Sequence, residues 1–201
     1  MPTGRYTILG DDGRPVGTES FRCAPGPMGW RYFSDVDTTE HGRHREVVDV
    51  AVDADWRIAR VRIHTGEHEL LLERRDDRLT GWRDGVAVEL AFGPEAHLDY
   101  LTPATNLITT RRLAGTTELD VVFLEPFTLE LARDRQRYER RGDEEVETAV
   151  GTFAATRWGY ASLTSGWSSD LWVAGDVVVR YDRIFELVDY EPGANGPRPI
   201  A

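Results

Sequence analysis

The chain has 201 residues and a formal net charge of −11, with 35 acidic residues against 24 basic ones that are all arginine. This balance argues against nonspecific attraction to nucleic acid or to an anionic membrane, and the lack of lysine excludes a Schiff-base mechanism. No apolar run is long enough to predict a transmembrane helix, and the first residues lack the basic and apolar regions of a signal peptide, so a cytoplasmic location is expected. Cys23 is the single cysteine, which excludes an internal disulfide and a cysteine-type metal site.

The first half of the chain predicts short strands joined by turns. Segments with alternating or continuous apolar residues are separated by turn signals such as Gly10-Asp-Asp-Gly-Arg-Pro15 and Thr65-Gly-Glu67, which are typical of hairpins. The predicted strands are residues 6–9, 16–21, 30–35, 46–52, 56–64, 68–75, 79–83 and 86–91. Such near-regular spacing favours an antiparallel meander that curls into a barrel or roll.

The second half continues this pattern after residue 113. Predicted strands cover residues 119–124, 127–138, 145–156, 169–173 and 177–181, and short helices are possible only at 99–113 and 183–189. The fold predicted is a single mainly β domain over residues 1–190, an antiparallel roll or incomplete barrel with at most two short helices. Residues 191–201 are rich in proline and glycine and predict a flexible C-terminal tail.

The segment 99–113 concentrates turn-formers, hydroxyls and charge between the two strand-rich halves. Pro103 fixes its own φ, and Thr105 and Asn106 can bond nearby backbone groups, as such residues do at turns and helix starts. Arg111 and Arg112 add two planar donor groups suited to carboxylate, phosphate or sugar oxygens. The alternative is a well-capped connection whose arginines form weak surface ion pairs.

Three short motifs carry a resemblance to a known family. Thr102-Pro-Ala-Thr-Asn106, followed by Arg111-Arg-Leu113 and then Gln136-Arg-Tyr138, resembles the signature of the bacterial putative glycolipid-binding family. The match covers roughly residues 44 to 190, and the first forty residues resemble the family less. The family pattern has Pro-Ile before the double arginine, where this chain has Thr109 and Thr110.

The resemblance implies a spiral antiparallel β-roll that holds a small amphipathic or hydrophobic ligand, such as a glycolipid, with no cofactor. A curled sheet with an apolar concave face suits an elongated ligand. Candidates for the interior are Trp56, Ile58, Val61, Ile63, Leu70, Leu72, Trp82, Val88 and Phe123. The ligand-binding residues expected from the resemblance and from the aromatic content are Trp82, Thr102, Asn106, Arg111, Arg112, Gln136 and Tyr138.

The arrangement of these residues can be interpreted in two ways. In one, the double arginine lies beside the cavity mouth with Asn106 and Gln136 within reach. In the other, Asn106 caps a helix and an arginine pairs with Asp99, which would impose geometry without binding anything.

Catalytic signatures are sparse. The sequence has no nucleophile elbow, phosphate-binding loop, dinucleotide fingerprint or zinc-protease motif. His64 and His68 have a spacing that suits a metal on a helix, but they flank a predicted hairpin turn, so no metal site is expected.

Two further function classes stay open beside ligand binding. A shaped apolar cavity can act as a cofactor-independent cyclase or isomerase by orienting its substrate, with Asp99, Tyr138 or Glu125 as acid or base. A structural module would instead show a broad exposed apolar patch. The sequence does not indicate an oligomeric state.

Overall fold

The computed structural model describes residues 1–26, 28–40, 42–76, 78–90, 96–194 and 196–200. The predicted strand at 86–91 therefore ends at a residue outside the described part of the chain. The elements are β1 (Thr3–Leu9), β2 (Pro15–Gly26), β3 (Gly29–Thr38), β4 (His44–Asp53), β5 (Ile58–His64), β6 (Glu69–Arg75), β7 (Arg78–Arg83), β8 (Val86–Leu90), β9 (His97–Asp99), α1 (Pro103–Arg111), β10 (Thr117–Leu124), β11 (Leu131–Thr148), β12 (Gly151–Ser162), β13 (Ser168–Ala174), β14 (Val177–Tyr181) and β15 (Phe185–Glu191).

All of these strands belong to one sheet. Its order is β8-β7-β6-β5-β4-β3-β2-β1-β15-β14-β13-β12-β11-β10-β9, so each half of the chain is a meander and the pairing of β1 with β15 joins the halves. Neighbouring strands are antiparallel except β9 and β10, which are parallel. The prediction of a mainly antiparallel β domain with at most two short helices is confirmed, since the described residues contain the single helix α1.

Alternating burial explains why the sheet curls around one interior. In β3, Trp30, Tyr32, Ser34 and Val36 are 0–5% exposed, while the residues that alternate with them are more accessible. In β4, Val48 and Val50 are fully buried in the same way. Each large apolar side chain removed from water contributes about 1.5–3 kcal/mol, and the right-handed twist of the strands brings these inner faces together.

The helix α1 lies inside the roll. Thr102 precedes it with extended backbone, Pro103 occupies the first turn, where a missing N–H costs nothing, and residues 103–110 are all buried. The helix packs against β9 and β14. It therefore fills interior space that the sequence predicts to be open to a ligand.

The loop at residues 125–130, which links β10 to β11, contacts the first half of the sheet at one end of the roll. The Thr65 hydroxyl donates to the Phe127 carbonyl at 2.8 Å, and the Arg83 guanidinium donates to the Thr128 carbonyl at 2.6 and 3.0 Å. The Phe127 ring packs edge-on against His44 and against His68, with centroids 5.0 and 5.9 Å apart. Because Phe127 and Leu129 have positive φ angles of 64° and 57°, these contacts hold a strained backbone.

Several predicted boundaries are wrong. The possible helix at 183–189 is wrong: residues 183–184 lie in a turn and residues 185–189 belong to β15, in which Phe185 and Leu187 are buried in strand alternation. The predicted strand 145–156 spans a turn: β11 ends at Thr148, and β12 begins at Gly151, whose φ of 123° suits glycine. Residues 127–130 belong to the loop before β11.

Burial of the predicted interior residues also differs in part. Ile58, Val61, Ile63, Leu70 and Leu72 are 0–1% exposed, as predicted. Trp82 is 47% exposed on the outer face of β7, so its assignment to the interior is wrong. The residue before it in the strand, Gly81, faces inward, and strand alternation turns Trp82 outward. Trp56, Val88 and Phe123 are partly buried.

The boundary at residue 190 between the β domain and a flexible C-terminal tail stays a prediction. In the described part of the C-terminal segment, the Ile200 amide donates to the Thr152 carbonyl at 2.7 Å.

Candidate functional site

Two adjoining cavities open at the end of the roll where the 125–130 loop lies. The turns at 163–167 and 182–184 and the segment 100–102 reach the same end. The smaller cavity has a volume of about 170 Å³ and is lined by Asp99, Tyr100, Leu101, Thr102, Asn106, Phe123, Pro126, Tyr160, Trp167, Tyr181, Ile184 and Phe185. The larger has about 340 Å³ and is lined by Phe123, Glu125, Ala132, Arg133, Asp134, Tyr160, Ser162, Thr164, Ser165 and Trp167.

Aromatic rings form the wall that the cavities share. Phe123, Tyr160 and Trp167 line both of them. The ring centroids of Tyr160 and Trp167 lie 5.4 Å apart, and Tyr181 lies 6.3 Å from Trp167 on the side of the smaller cavity. Aromatic faces of this kind bind apolar chains and the C–H faces of sugar rings.

Asp99 lies at the base of the smaller cavity and is 7% exposed. Its Oδ2 accepts hydrogen bonds from Gln136 Nε2 at 2.7 Å and from the Tyr160 hydroxyl at 3.1 Å. Its Oδ1 accepts from Asn106 Nδ2 at 3.1 Å and from the Thr105 hydroxyl at 3.3 Å. Burial raises the pKa of Asp99 above its ordinary value, and the hydrogen bonds from Gln136, Tyr160 and Thr105 oppose that rise.

Tyr138 completes this network behind the cavity. Its hydroxyl accepts from Asn106 Nδ2 at 2.9 Å and donates to Gln136 Oε1 at 3.2 Å. The Tyr138 side chain is fully buried, and burial, followed by the nearby charge of Asp99, raises its pKa well above the usual range. The three motif side chains Asn106, Gln136 and Tyr138 thus orient Asp99 and one another.

Asp134 is the second carboxylate of the site and lines the larger cavity. It accepts from Gln136 Nε2 at 2.9 Å and from the Ser162 hydroxyl at 2.9 Å. The Gln136 amide therefore bridges Asp99 and Asp134. Asp134, Gln136 and Tyr138 alternate along β11, and strand pairing places Ser162 opposite Gln136 and Tyr160 opposite Tyr138.

Two buried glutamates fix the segment 100–102 at the cavity. The Thr102 hydroxyl donates to Glu19 Oε1 at 2.7 Å, and the Tyr32 hydroxyl donates to the same oxygen at 2.8 Å. The Tyr100 hydroxyl donates to Glu46 Oε2 at 2.6 Å. Burial raises the pKa of Glu19 from 4.5 to about 7, against the opposing effect of its hydrogen bonds.

The structure brings together only part of the predicted site. Thr102 and Asn106 line the smaller cavity, and Gln136 and Tyr138 support them from behind. Glu125 is exposed and lines the larger cavity. Trp82 lies outside both.

The two arginines lie elsewhere. Neither Arg111 nor Arg112 lines either cavity. The Arg111 guanidinium lies over the Trp56 ring, 5.1 Å from its centre, and Arg112 Nη1 donates to the Ala96 carbonyl at 3.2 Å. Their role in ligand binding stays a prediction.

The alternative interpretation of Asn106 and Asp99 is wrong in its details. Thr102, not Asn106, is the N-cap residue of α1. Asp99 is held by amide and hydroxyl donors where an arginine was considered. Glutamine and asparagine satisfy a buried carboxylate without burying a second charge.

Sequence reasoning missed Tyr160, Trp167, Asp134, Ser162 and Glu19. The alternation of Asp134 with Gln136 and Tyr138 was a usable signal, because residues two apart on a strand share a face. The others come from distant strands and turns, so they required the register of the sheet.

Across the described ranges, no group of three or more histidine, cysteine or acidic side chains is placed to hold a metal ion. His64 accepts from the Gly66 amide, and His68 pairs with Asp84 at 2.8 Å, so the two rings have separate partners. The helix in the described part of the chain is too short and too polar to cross a bilayer.

Comparison with solved structures supports the fold. A DUF1089 family protein from Pseudomonas aeruginosa is 19% identical and superposes with a TM-score of 0.59. The aligned region covers 84% of this chain and 91% of the Pseudomonas chain. A β-barrel-like protein of the DUF1849 family from Brucella abortus is 9% identical and superposes with a TM-score of 0.55. The aligned region covers 94% of this chain and 96% of the Brucella chain. At these identities the likeness concerns the fold alone.

Comparison with curated proteins gave no match. A family model described as "Putative glycolipid-binding" matches residues 11–186, which include the helix, the Asp99 network and the aromatic wall. The chain therefore belongs to the putative glycolipid-binding family.

Proposed function

We propose that the protein reversibly binds an amphipathic, glycolipid-like small molecule at the open end of the roll. The observation that carries this proposal is the pair of adjoining cavities, which combine a shared aromatic wall with the buried carboxylate Asp99 and the partly buried carboxylate Asp134. Family membership supports a lipid-like ligand.

The two kinds of lining suit the two parts of such a ligand. Rings of Tyr160 and Trp167 offer faces for a sugar, while carboxylate and hydroxyl oxygens of Asp134 and Ser162 accept hydrogen bonds from its hydroxyls. Ile184 and Phe185, in the smaller cavity, extend the apolar lining.

The apolar contribution limits the expected affinity. Burying about 200 Å² of apolar ligand surface at about 25 cal/mol per Å² gives about 5 kcal/mol before the cost of association. The apolar contacts alone therefore account for a dissociation constant no tighter than about 0.2 mM, and micromolar affinity requires hydrogen bonds to the head group in addition.

Titration with an alkyl glucoside tests the proposal. We expect saturable quenching or enhancement of tryptophan fluorescence, and a loss of affinity of about tenfold or more in Trp167→Ala, because the shared aromatic wall is removed. Trp82→Ala, which removes an indole from the outer face, is the matched control and should bind like the wild type. Equal losses in both variants, or no binding by the wild type, would contradict the proposal.

One observation favours a second candidate function. Asp99 is a buried acid whose pKa is raised, and the Tyr160 hydroxyl adjoins it in the wall of the cavity. This pair could transfer a proton in a cofactor-independent cyclase or isomerase. Incubation with hydrophobic metabolites followed by mass spectrometry distinguishes the two functions: an enzyme yields a rearranged product that Asp99→Asn no longer forms, whereas a carrier returns its ligand unchanged.

A further inference from the structure

We infer that the preferred head group carries an amine, so that the ligand is an amino-sugar or similarly cationic amphiphile and not an anionic one. This inference rests on the proposed function, since it concerns the ligand of the same two cavities.

Asp99 is an acidic side chain with no cationic partner among the described residues. Its hydrogen-bond partners, Gln136, Tyr160, Thr105 and Asn106, are all neutral donors. When Asp99 is ionised, these bonds satisfy its carboxylate oxygens but leave its charge uncompensated in a buried position, where electrostatic interactions are strong. A cation in the adjoining cavity would stabilise this charge, and an anion would be repelled.

Asp134 adds a second charge of the same sign. Its described partners, Gln136 and Ser162, are again neutral. The Gln136 amide binds one oxygen of each carboxylate, so the two charges lie on either side of a single side chain. Glu125 is a third carboxylate in the lining of the larger cavity, and because it is exposed its charge is screened, as is that of the equally exposed Arg133 in the same lining.

Basic side chains near the site are placed toward solvent. Arg133 belongs to the lining of the larger cavity, but it is exposed and alternates on β11 with the inward-facing Asp134. Arg183 is exposed, and its guanidinium carbon lies 6.0 Å from the centre of the Trp167 ring. Charges in such positions are screened by water and salt, in contrast to the buried Asp99.

The aromatic wall favours the same class of ligand. Trp167 and Tyr160 present electron-rich faces in a partly desolvated cavity, where an ammonium group is attracted by the rings as well as by the carboxylates. Recognition of a phosphate, sulfate or carboxylate would instead need arginine or lysine donors directed into the cavity.

A set of three alkyl glycosides with the same chain tests this inference. The probes are an alkyl glucoside, an alkyl glucosaminide and an alkyl glucuronide, titrated at neutral pH and at low and high salt. We expect the glucosaminide to bind about tenfold or more tightly than the glucuronide and more tightly than the glucoside, with differences that shrink in high salt.

The outcomes separate the two proposals. Equal binding of all three probes, or tighter binding of the glucuronide, overturns the amine preference and leaves the proposed function standing. A glucosaminide that gains nothing over the glucoside also overturns the preference. Failure of all three to bind overturns the proposed function and the inference with it.

Charge-neutralising variants show which carboxylates cause the preference for an amine-bearing head group. In Asp134→Asn we expect the ratio of glucosaminide to glucuronide affinity to fall toward one, whereas Asp120→Asn, which removes the same charge from an exposed position on β10, should keep the wild-type ratio. Glu125→Gln gives an independent test at an exposed lining residue and should lower the ratio in part. An unchanged ratio in both Asp134→Asn and Glu125→Gln overturns the inference.

Discussion

Replacing Glu19 with glutamine should make the protein more stable at neutral and alkaline pH. Glu19 is fully buried on β2, and its Oε1 accepts hydrogen bonds from Tyr32 at 2.8 Å and Thr102 at 2.7 Å. Glutamine keeps a carbonyl oxygen for both donors and carries no charge. It therefore resembles the protonated acid that burial favours.

The magnitude follows from the pKa of Glu19. Burial raises this pKa from 4.5 to about 7, so the folded state holds a proton that the unfolded state has already released between these two values. The free energy of unfolding therefore falls as pH rises through this window and is lower at pH values above it. At about 1.4 kcal/mol per pH unit, the free energy of unfolding falls by about 3 kcal/mol between pH 4.5 and about pH 7.

Urea denaturation at a series of pH values measures this effect. The difference in unfolding free energy between Glu19→Gln and wild type should be near constant below about pH 4.5 and grow by about 3 kcal/mol up to about pH 7. Comparing the two proteins cancels the contribution of Asp99, whose pKa burial also raises. Glu186→Gln, an exposed change of the same kind, should follow the wild-type profile. Parallel profiles for Glu19→Gln and wild type would refute the reasoning.

Three further substitutions test other parts of the account. Tyr138→Phe should lower the unfolding free energy by about 1–3 kcal/mol, because the buried Asn106 and Gln136 amides each lose a hydrogen bond to the Tyr138 hydroxyl. Tyr190→Phe is the control: it removes a hydroxyl with no partner among the described residues and should be nearly neutral in urea denaturation. Arg111→Ala should change the affinity for an alkyl glucoside by less than about twofold and the unfolding free energy by about 1 kcal/mol or less, since the described contact of Arg111 is with Trp56. A large loss of affinity would instead place Arg111 in the binding site. Thr65→Val should increase amide hydrogen exchange across residues 125–130 by about fivefold or more, and unchanged exchange would show that its bond to Phe127 does not hold the loop.

Much of the sheet could be predicted from local patterns. Turn signals such as those at residues 10–15 and 65–67 separate strands whose apolar residues alternate, and the structure places hairpins there. Boundaries failed where alternation continued across a turn, as at residues 149–150 between β11 and β12. The parallel pairing of β9 with β10 could not be predicted, because it depends on the route of the chain through α1.

The position of α1 was the main obstacle to predicting the site. Its threonines and Asn106 suggest an exposed, polar segment, yet residues 103–110 are all buried because backbone and carboxylate groups satisfy these side chains. Proximity in sequence also misled the assignment of the arginines. Five positions along a helix turn by about 500°, so Asn106 and Arg111 lie about 140° apart around its axis. They therefore face different surroundings.

Native mass spectrometry of the protein incubated with a lipid extract tests the central claim most directly. We predict that the wild type retains one amphiphile per chain, released chemically unchanged on denaturation, and that Trp167→Ala retains much less while Trp82→Ala loads like the wild type. A wild type that binds no amphiphile, or a Trp167→Ala variant that loads equally well, would contradict the account.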